Sequence, residues 1–349
     1  MQKSLDLKLA EIHANPSGSK AFIIADAKDA DMAFGITAPG PNCNPSRTRE
    51  FGESVQCGWK TLDDYRRQIR EVITQGLVDI VLLSASNVEK LAMTEKLFEN
   101  SPITPAARAN DTSDIWAVRG GSYPKEASRS FRTATLEHIM YGRIDPSPGT
   151  PVIGADLGLY SITFTNNLDA DYKALSDFRD FREDAERKSF RYFLELFNPN
   201  IDPKIPSDQI AGFMNDHIIR TLAGVTQRGR PVFLKIPYNG PKALEELVSY
   251  DSSLVVGILG GSAGTTYDAF KLIRDAQVHG ARVALFGRKI NLSEHPLTFI
   301  EMLRRIVNEE ITPEEAVKAY HGRLKDLGIK PQRHLTADMN LTTTLNRYR

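Results

Sequence analysis

The stretch that decides the fold is Pro231-Val-Phe-Leu-Lys235-Ile-Pro-Tyr238-Asn-Gly240, an amphipathic segment, Ser253-Leu-Val-Val-Gly-Ile-Leu-Gly260-Gly261-Ser262-Ala-Gly264, a second such segment, then Ala281-Arg-Val-Ala-Leu-Phe-Gly287-Arg288-Lys-Ile290. Three short apolar runs separated by helical patterns read as a parallel βαβαβ unit. Side chains alternate along a strand, so Phe233 and Lys235 share one face and Val232, Leu234 and Ile236 the other. With helices packed on the outer face, Lys235 points into a barrel. A lysine there is either paired with a buried carboxylate, snorkels from a strand end, or loses its charge. Desolvation lowers a lysine pKa, and the neutral amine attacks carbonyl carbons to form a Schiff base.

The two turns that follow narrow the choice. Gly260-Gly261-Ser262-Ala263-Gly264 leads into Thr265-Thr266-Tyr267-Asp268, where Thr265 and Asp268 have capping-box spacing. Glycines allow backbone amides to approach an anion, and a helix N-terminus favours negative charge. Gly287-Arg288 adds a second turn and a guanidinium suited to bidentate phosphate contacts. Gly260, Gly261, Ser262, Gly287 and Arg288 are therefore the expected phosphate cradle. In (β/α)8 barrels the recurrent phosphate site lies in the loops after strands seven and eight.

Lys-Ile-Pro-Tyr-Asn-Gly, a Gly-Gly turn and Phe-Gly-Arg-Lys-Ile together resemble the last three βα units of class I (Schiff-base) aldolases of the DhnA/DeoC/LacD type. The resemblance is close over residues 230–292 and only topological before them. It implies an α/β fold, a (β/α)8 TIM barrel, with the Schiff-base lysine on strand six and phosphate held after strands seven and eight.

Outward from this stretch the chain alternates in the same way. Of its 349 residues 41% are hydrophobic and 25% charged, as in an ordinary globular protein. Forty-four basic and forty-four acidic residues cancel, which argues against a nonspecific nucleic-acid binder or a membrane-surface protein. No apolar run is long enough for a membrane span, and the N-terminus lacks the core of a signal peptide, so a cytoplasmic location is expected. Cys43 and Cys57 fall in one loop region and are either a disulfide pair or, the favoured reading, unpaired cytosolic thiols. The histidines show no ligand spacing, so no catalytic metal and no cofactor are expected.

The domain reading is an N-terminal lead-in over 1–19, a barrel over 20–310 with a long loop insertion after strand one, and a C-terminal helix and polar tail over 311–349. Strands one to five are read at Ala21–Asp26, Asp79–Ser84, Thr104–Ala109, Gly158–Thr165 and from Tyr192 through Phe197. One helix is expected around 131–142. Arg47 and Arg49 in the proline-rich loop are either lid residues or solvated.

Asp26, ending strand one, resembles the aspartate of the family's first strand motif; Asp29 is the fallback, because the His-Gly that follows in the family is absent. Glu195, inward on strand five with Phe193 and Phe197, is the other acid/base candidate, or the partner that keeps Lys235 charged at rest. Some family members carry a tyrosine acid near Phe197, where phenylalanine cannot donate; Tyr238 and Tyr160 are the substitutes. The expected activity is cofactor-independent cleavage or condensation of a phosphorylated keto-sugar or related 2-oxo compound through Lys235. The alternatives are a transaldolase-like or thiolase-like transferase using the same lysine, and a non-catalytic sugar-phosphate sensor. A homo-oligomer is expected by analogy.

Overall fold

The computed structural model describes residues 1–42, 58–261 and 264–342. Arg47, Arg49, both cysteines and Ser262 lie outside the described residues.

Eight parallel strands close into a barrel in chain order: β1 (Ile23–Lys28), β2 (Ile80–Leu83), β3 (Thr104–Arg108), β4 (Leu157–Thr163), β5 (Arg191–Phe197), β6 (Leu234–Ile236), β7 (Val256–Gly260) and β8 (Val283–Phe286), which returns to pair with β1. This is the (β/α)8 architecture, and each expected strand is present within two or three residues. The strands read as near-continuous apolar runs because both of their faces are covered.

Two apolar layers account for this. Outside the barrel, Ile24, Val81, Ala107, Leu194, Leu234, Ile258 and Ala284 pack against the surrounding helices. Inside it, Ile23, Ala25, Leu82, Ala106, Leu159, Phe193, Phe233, Val283 and Leu285 fill the N-terminal half. The N-terminal helix α1 (Ser4–Ala14) adds Leu5, Leu9 and Ile12 to that inner layer and so closes the bottom. Each fully buried leucine or isoleucine of this kind contributes roughly 1.5–3 kcal/mol. The Lys3 ammonium donates to the carbonyls of Ser101 at 2.9 Å and Ile103 at 3.0 Å, fixing α1 to the approach of β3.

The helices follow their sequence signals: α2 (Asp31–Phe34), α3 (Leu62–Gln75), α4 (Ala85–Val88), α5 (Leu136–Tyr141), α6 (Leu168–Arg187), α7 (Ile210–Ala223), α8 (Pro241–Tyr250), α9 (Thr266–Val278), α10 (Arg288–Asn291), α11 (Pro296–Val307), α12 (Pro313–Asp326) and α13 (Leu335–Asp338). Capping boxes start α3, α9 and α12. The helix expected over 131–142 is shorter, because Ser130–Phe131 pairs antiparallel with Asp111–Thr112 above the barrel mouth. Among the described residues no helix is long and apolar enough to cross a membrane.

Candidate active site

The inner face changes character towards the C-terminal ends of the strands. On β6 Phe233 is apolar and Lys235, two residues on, faces the same way; on β5 Phe193 is followed by Glu195. The registers place Ser161, Glu195 and Lys235 side by side on β4, β5 and β6. The stacked rings of Phe193 and Phe233, 4.6 Å apart, form an apolar floor beneath this row.

Lys235 and Glu195 are an ion pair, with the lysine Nζ on Glu195 Oε1 and side-chain exposures of 8% and 1%. The other carboxylate oxygen, Oε2, accepts from Ser161 Oγ at 2.6 Å. Ser161 is itself fixed: its amide donates to Asn110 Oδ1 at 2.6 Å, and Asn110 Nδ2 donates to its carbonyl at 2.8 Å. From β3, Arg108 reaches inward, donating to Asp29 Oδ2 at 2.5 Å and lying 3.9 Å from Glu195 Oε2. Burial alone would pull the guanidinium down, but Asp29 and Glu195 outweigh it, so Arg108 titrates above its usual range. Two cations and two carboxylates thus compensate one another in a buried cluster, and Lys235 has the paired carboxylate that was one of its sequence readings.

The cluster opens into a cavity of about 130 Å³ whose walls include Asp29, Arg108, Glu195, Phe197, Lys235, Gly260, Gly287 and Arg288. Phe34 and Ile115 supply an apolar side. The Arg288 guanidinium lies 5.6 Å from the centre of the Phe34 ring, at the rim. Lys289 donates to the Gly264 carbonyl at 2.8 Å, joining the turn after β8 to the turn after β7. Gly261 is exposed beside this rim.

Asp26 is not in this cavity. Alternation turns it outward between Ile24 and Lys28, behind the barrel wall, where it is fully buried and 3.2 Å from Lys28 Nζ. Burial holds its carboxyl above the usual range, offset in part by Lys28. Lys28 in turn bonds Asn291 on α10, so this pair braces the helix that begins at Arg288. The carboxylate that does reach the cavity from the end of β1 is Asp29.

The substitute tyrosines also lie elsewhere. Tyr160 faces outward on β4, stacked on Phe181 at 4.3 Å, and Tyr238 sits in a crevice with Met214 and Ile218 beside α7. His217 is a packing residue between Phe164 and Phe213.

The anion cradle differs from expectation at α9. Its capping box is present, with Thr265 N donating to Asp268 Oδ2 at 2.8 Å and Asp268 N to Thr265 Oγ1 at 3.1 Å. The next amide, Thr266 N, donates to Asp338 Oδ1 at 2.8 Å. Side chains of the chain itself therefore take up the amides of Thr265, Thr266 and Asp268 at this helix N-terminus, while Gly260, Gly287 and Arg288 line the cavity and Gly261 is exposed beside it. Two of these glycines are also demanded by packing. A Cβ on Gly260 would meet the Phe286 ring at 2.1 Å, and one on Gly287 the Ala27 carbonyl oxygen at 2.9 Å.

Arg108 and Ser161, which complete this cluster, were not singled out from the sequence, although each is a polar residue in an otherwise apolar strand, the same signal that marked Lys235 and Glu195.

No known family profile matches the chain. A 91-residue stretch is 33% identical to 2-amino-3,7-dideoxy-D-threo-hept-6-ulosonate synthase 1 of Archaeoglobus fulgidus. The match takes in 26% of this chain and 34% of that protein, so the chain spans about a third of the curated relative it matches. Among solved structures, an archaeal fructose 1,6-bisphosphate aldolase superposes with a TM-score of 0.59 at 16% identity, covering 88% of this chain and 100% of its own. An archaeal fructose-1,6-bisphosphate aldolase with its catalytic lysine covalently bound to the carbinolamine intermediate gives 0.59 at 16% identity, covering 87% and 99%. The fructose-bisphosphate aldolase of Slackia heliotrinireducens gives 0.60 at 11% identity, covering 91% of each chain. These structures share the barrel fold, and they fit the resemblance to class I aldolases read from residues 230–292.

Proposed function

We propose that the chain is a class I aldolase that cleaves or condenses a phosphorylated keto-sugar or related 2-oxo compound through a Schiff base on Lys235. The observation that carries this reading is the placement of the Lys235 amine, desolvated and paired with Glu195, in one cavity with Gly260, Gly287 and Arg288.

In this reading the ammonium of Lys235 first passes a proton to Glu195. The amine then adds to the substrate carbonyl, and the carbinolamine loses water to give an iminium that serves as the electron sink for carbon–carbon cleavage. Glu195 and Asp29 are the groups that move protons, with Ser161 and Arg108 orienting them. Gly260, Gly261, Ser262, Gly287 and Arg288 hold the remote phosphate, and no metal or cofactor enters the scheme. A cytoplasmic homo-oligomer belongs to the same proposal.

The name of the Archaeoglobus relative, a synthase of a hept-6-ulosonate, fits the condensing direction of this reading.

Borohydride reduction in the presence of dihydroxyacetone phosphate tests the proposal. The expected result is a stable mass increase on the peptide carrying Lys235. Binding without trapping would instead support a sensor, and full turnover by Lys235→Met would exclude both enzyme readings. Product analysis with and without an acceptor aldehyde separates lyase from transferase.

A further inference from the structure

At the opposite end of β5 and β6 from the candidate active site lies a larger cavity, of about 380 Å³. It is enclosed by the last turns of α6, the start of β5 and the turn that leads into β6, and four arginines line it: Arg182, Arg191, Arg228 and Arg230. Two of them already hold carboxylates. Arg191 donates to Asp6 at 2.7 Å and to Asp156 at 3.0 Å, and Arg230 donates to Asp251 at 2.8 Å. Arg182 and Arg228 have no ion pair among the described residues. The Arg182 Nε is buried without a hydrogen-bond partner, while its guanidinium lies 5.1 Å from the Phe178 ring centre. Glu186 is the carboxylate on the rim.

The wall is also held in place. The buried Tyr192 hydroxyl donates to the Gly229 carbonyl at 2.6 Å, fixing the turn between Arg228 and Arg230 against β5. Guanidinium groups lining one space suit bidentate binding of phosphate oxygens, whose geometry matches arginine's planar fork.

We propose that this cavity is a binding site for a small molecule carrying two linked phosphate groups, separate from the barrel mouth, with Arg182 and Arg228 as the principal contacts. Its volume falls in the range of small-molecule sites and leaves room for an organic group beyond the phosphates. Because Arg191 and Glu195 are four residues apart on one strand, the site lies about 13 Å along β5 from the Lys235 pair.

Calorimetric titration of the full chain with inorganic pyrophosphate tests this. The expected result is saturable binding that weakens at least tenfold in the Arg182→Gln/Arg228→Gln double variant and at least threefold in Arg228→Gln, whose side chain is exposed and whose folding is therefore secure. Lys325→Gln, at an exposed position on α12, should leave it unchanged. Absence of binding to the intact chain would overturn the proposal. So would binding that survives in Arg228→Gln and the double variant but is lost in Arg288→Gln, which would assign the anion to the barrel mouth instead.

Discussion

Glu195 carries two obligations that conflict when it is altered. It is the counter-charge to a buried lysine, and in the proposed chemistry it is the first proton acceptor. Glu195→Gln keeps the shape but leaves the Lys235 ammonium beside Arg108 with one carboxylate fewer. Breaking a buried pair in this way costs roughly 3–5 kcal/mol, and losing an acid/base group lowers kcat by about 10²–10⁴. Urea unfolding and steady-state kinetics on one preparation should show both losses; a stable, fully active variant would remove Glu195 from the scheme. Asp111 offers a pH test beside the same cluster. Burial lifts its carboxyl to about 6, against the opposing pull of Arg108. A carboxyl raised on folding binds more protons in the folded state between its unfolded value, about 3.9, and that value, so its contribution to stability declines as pH rises through this window and is level above it. Asp111→Asn should therefore melt higher than the parent at pH 7.5, with the difference vanishing near pH 4. At this scale the sequence was readable at Lys235 and Glu195, where a polar residue interrupts an apolar strand at a known parity, although the same signal at Ser161 and Arg108 went unread. It misled at Asp26, because β1 is buried on both faces and its apolar run carries no alternation to say which side is in.

Between elements, the least legible feature is the C-terminal segment. Its polar sequence reads as a tail that is either loosely held or used for subunit contacts, yet α13 and the residues after it lie over the N-terminus of α9. Asp338 accepts from Thr266 N and pairs with His321 at 2.9 Å, Thr265 Oγ1 donates to the Asn340 carbonyl at 2.8 Å, and the Thr342 hydroxyl donates to Asp268 at 2.6 Å. Contacts of this kind join residues some 70 positions apart and leave no periodic trace, whereas the capping box of α9 is local and was visible at once. The strap holds the helix that directly follows the Gly260–Gly264 turn. Asp338→Ala would leave the buried Thr266 amide without an acceptor, a loss of about 1–3 kcal/mol. It should also loosen the turn, raising KM for a phosphorylated substrate several-fold while leaving kcat nearly unchanged. Thermal melts and Michaelis curves check the two effects separately; a fall in kcat at constant KM would mean that the strap acts on the chemistry and not on the cradle.

For the molecule as a whole, the eightfold alternation of strand and helix was legible from apolar runs alone, while the way the barrel is closed at its base was not. Besides the apolar face of α1, one buried carboxylate ties this base together. Asp79, just before β2, accepts from the Ile24 amide at 2.9 Å, from Lys8 of α1 at 2.8 Å and from Arg304 of α11 at 2.7 Å. Arg304 also donates to the carbonyls of Leu77 at 3.0 Å and Phe22 at 3.1 Å. The first helix, the first two strands and a helix near the chain's end thus meet at a single side chain. The carboxylate gains more from its neighbours than Lys8 gains from it. Burial is the largest influence on Asp79 and pushes its carboxyl up, but Arg304 and Lys8 together bring it below the usual range. Lys8 is pulled down, because burial and the neighbouring Arg304 outweigh its attraction to Asp79. A carboxyl depressed on folding contributes stability that is present above its unfolded value, about 3.9, and disappears as pH falls through the folded one. Asp79→Asn should accordingly lower stability by roughly 3–5 kcal/mol at pH 7, by stranding two cations at the base of the barrel. Below pH 4 the parent loses the same charge by protonation, so the gap between the two proteins should narrow steadily with added acid. Urea unfolding at pH 7 and pH 3 measures it, and a gap of equal size at both pH values would show that Asp79 acts through its shape and hydrogen bonds, not its charge.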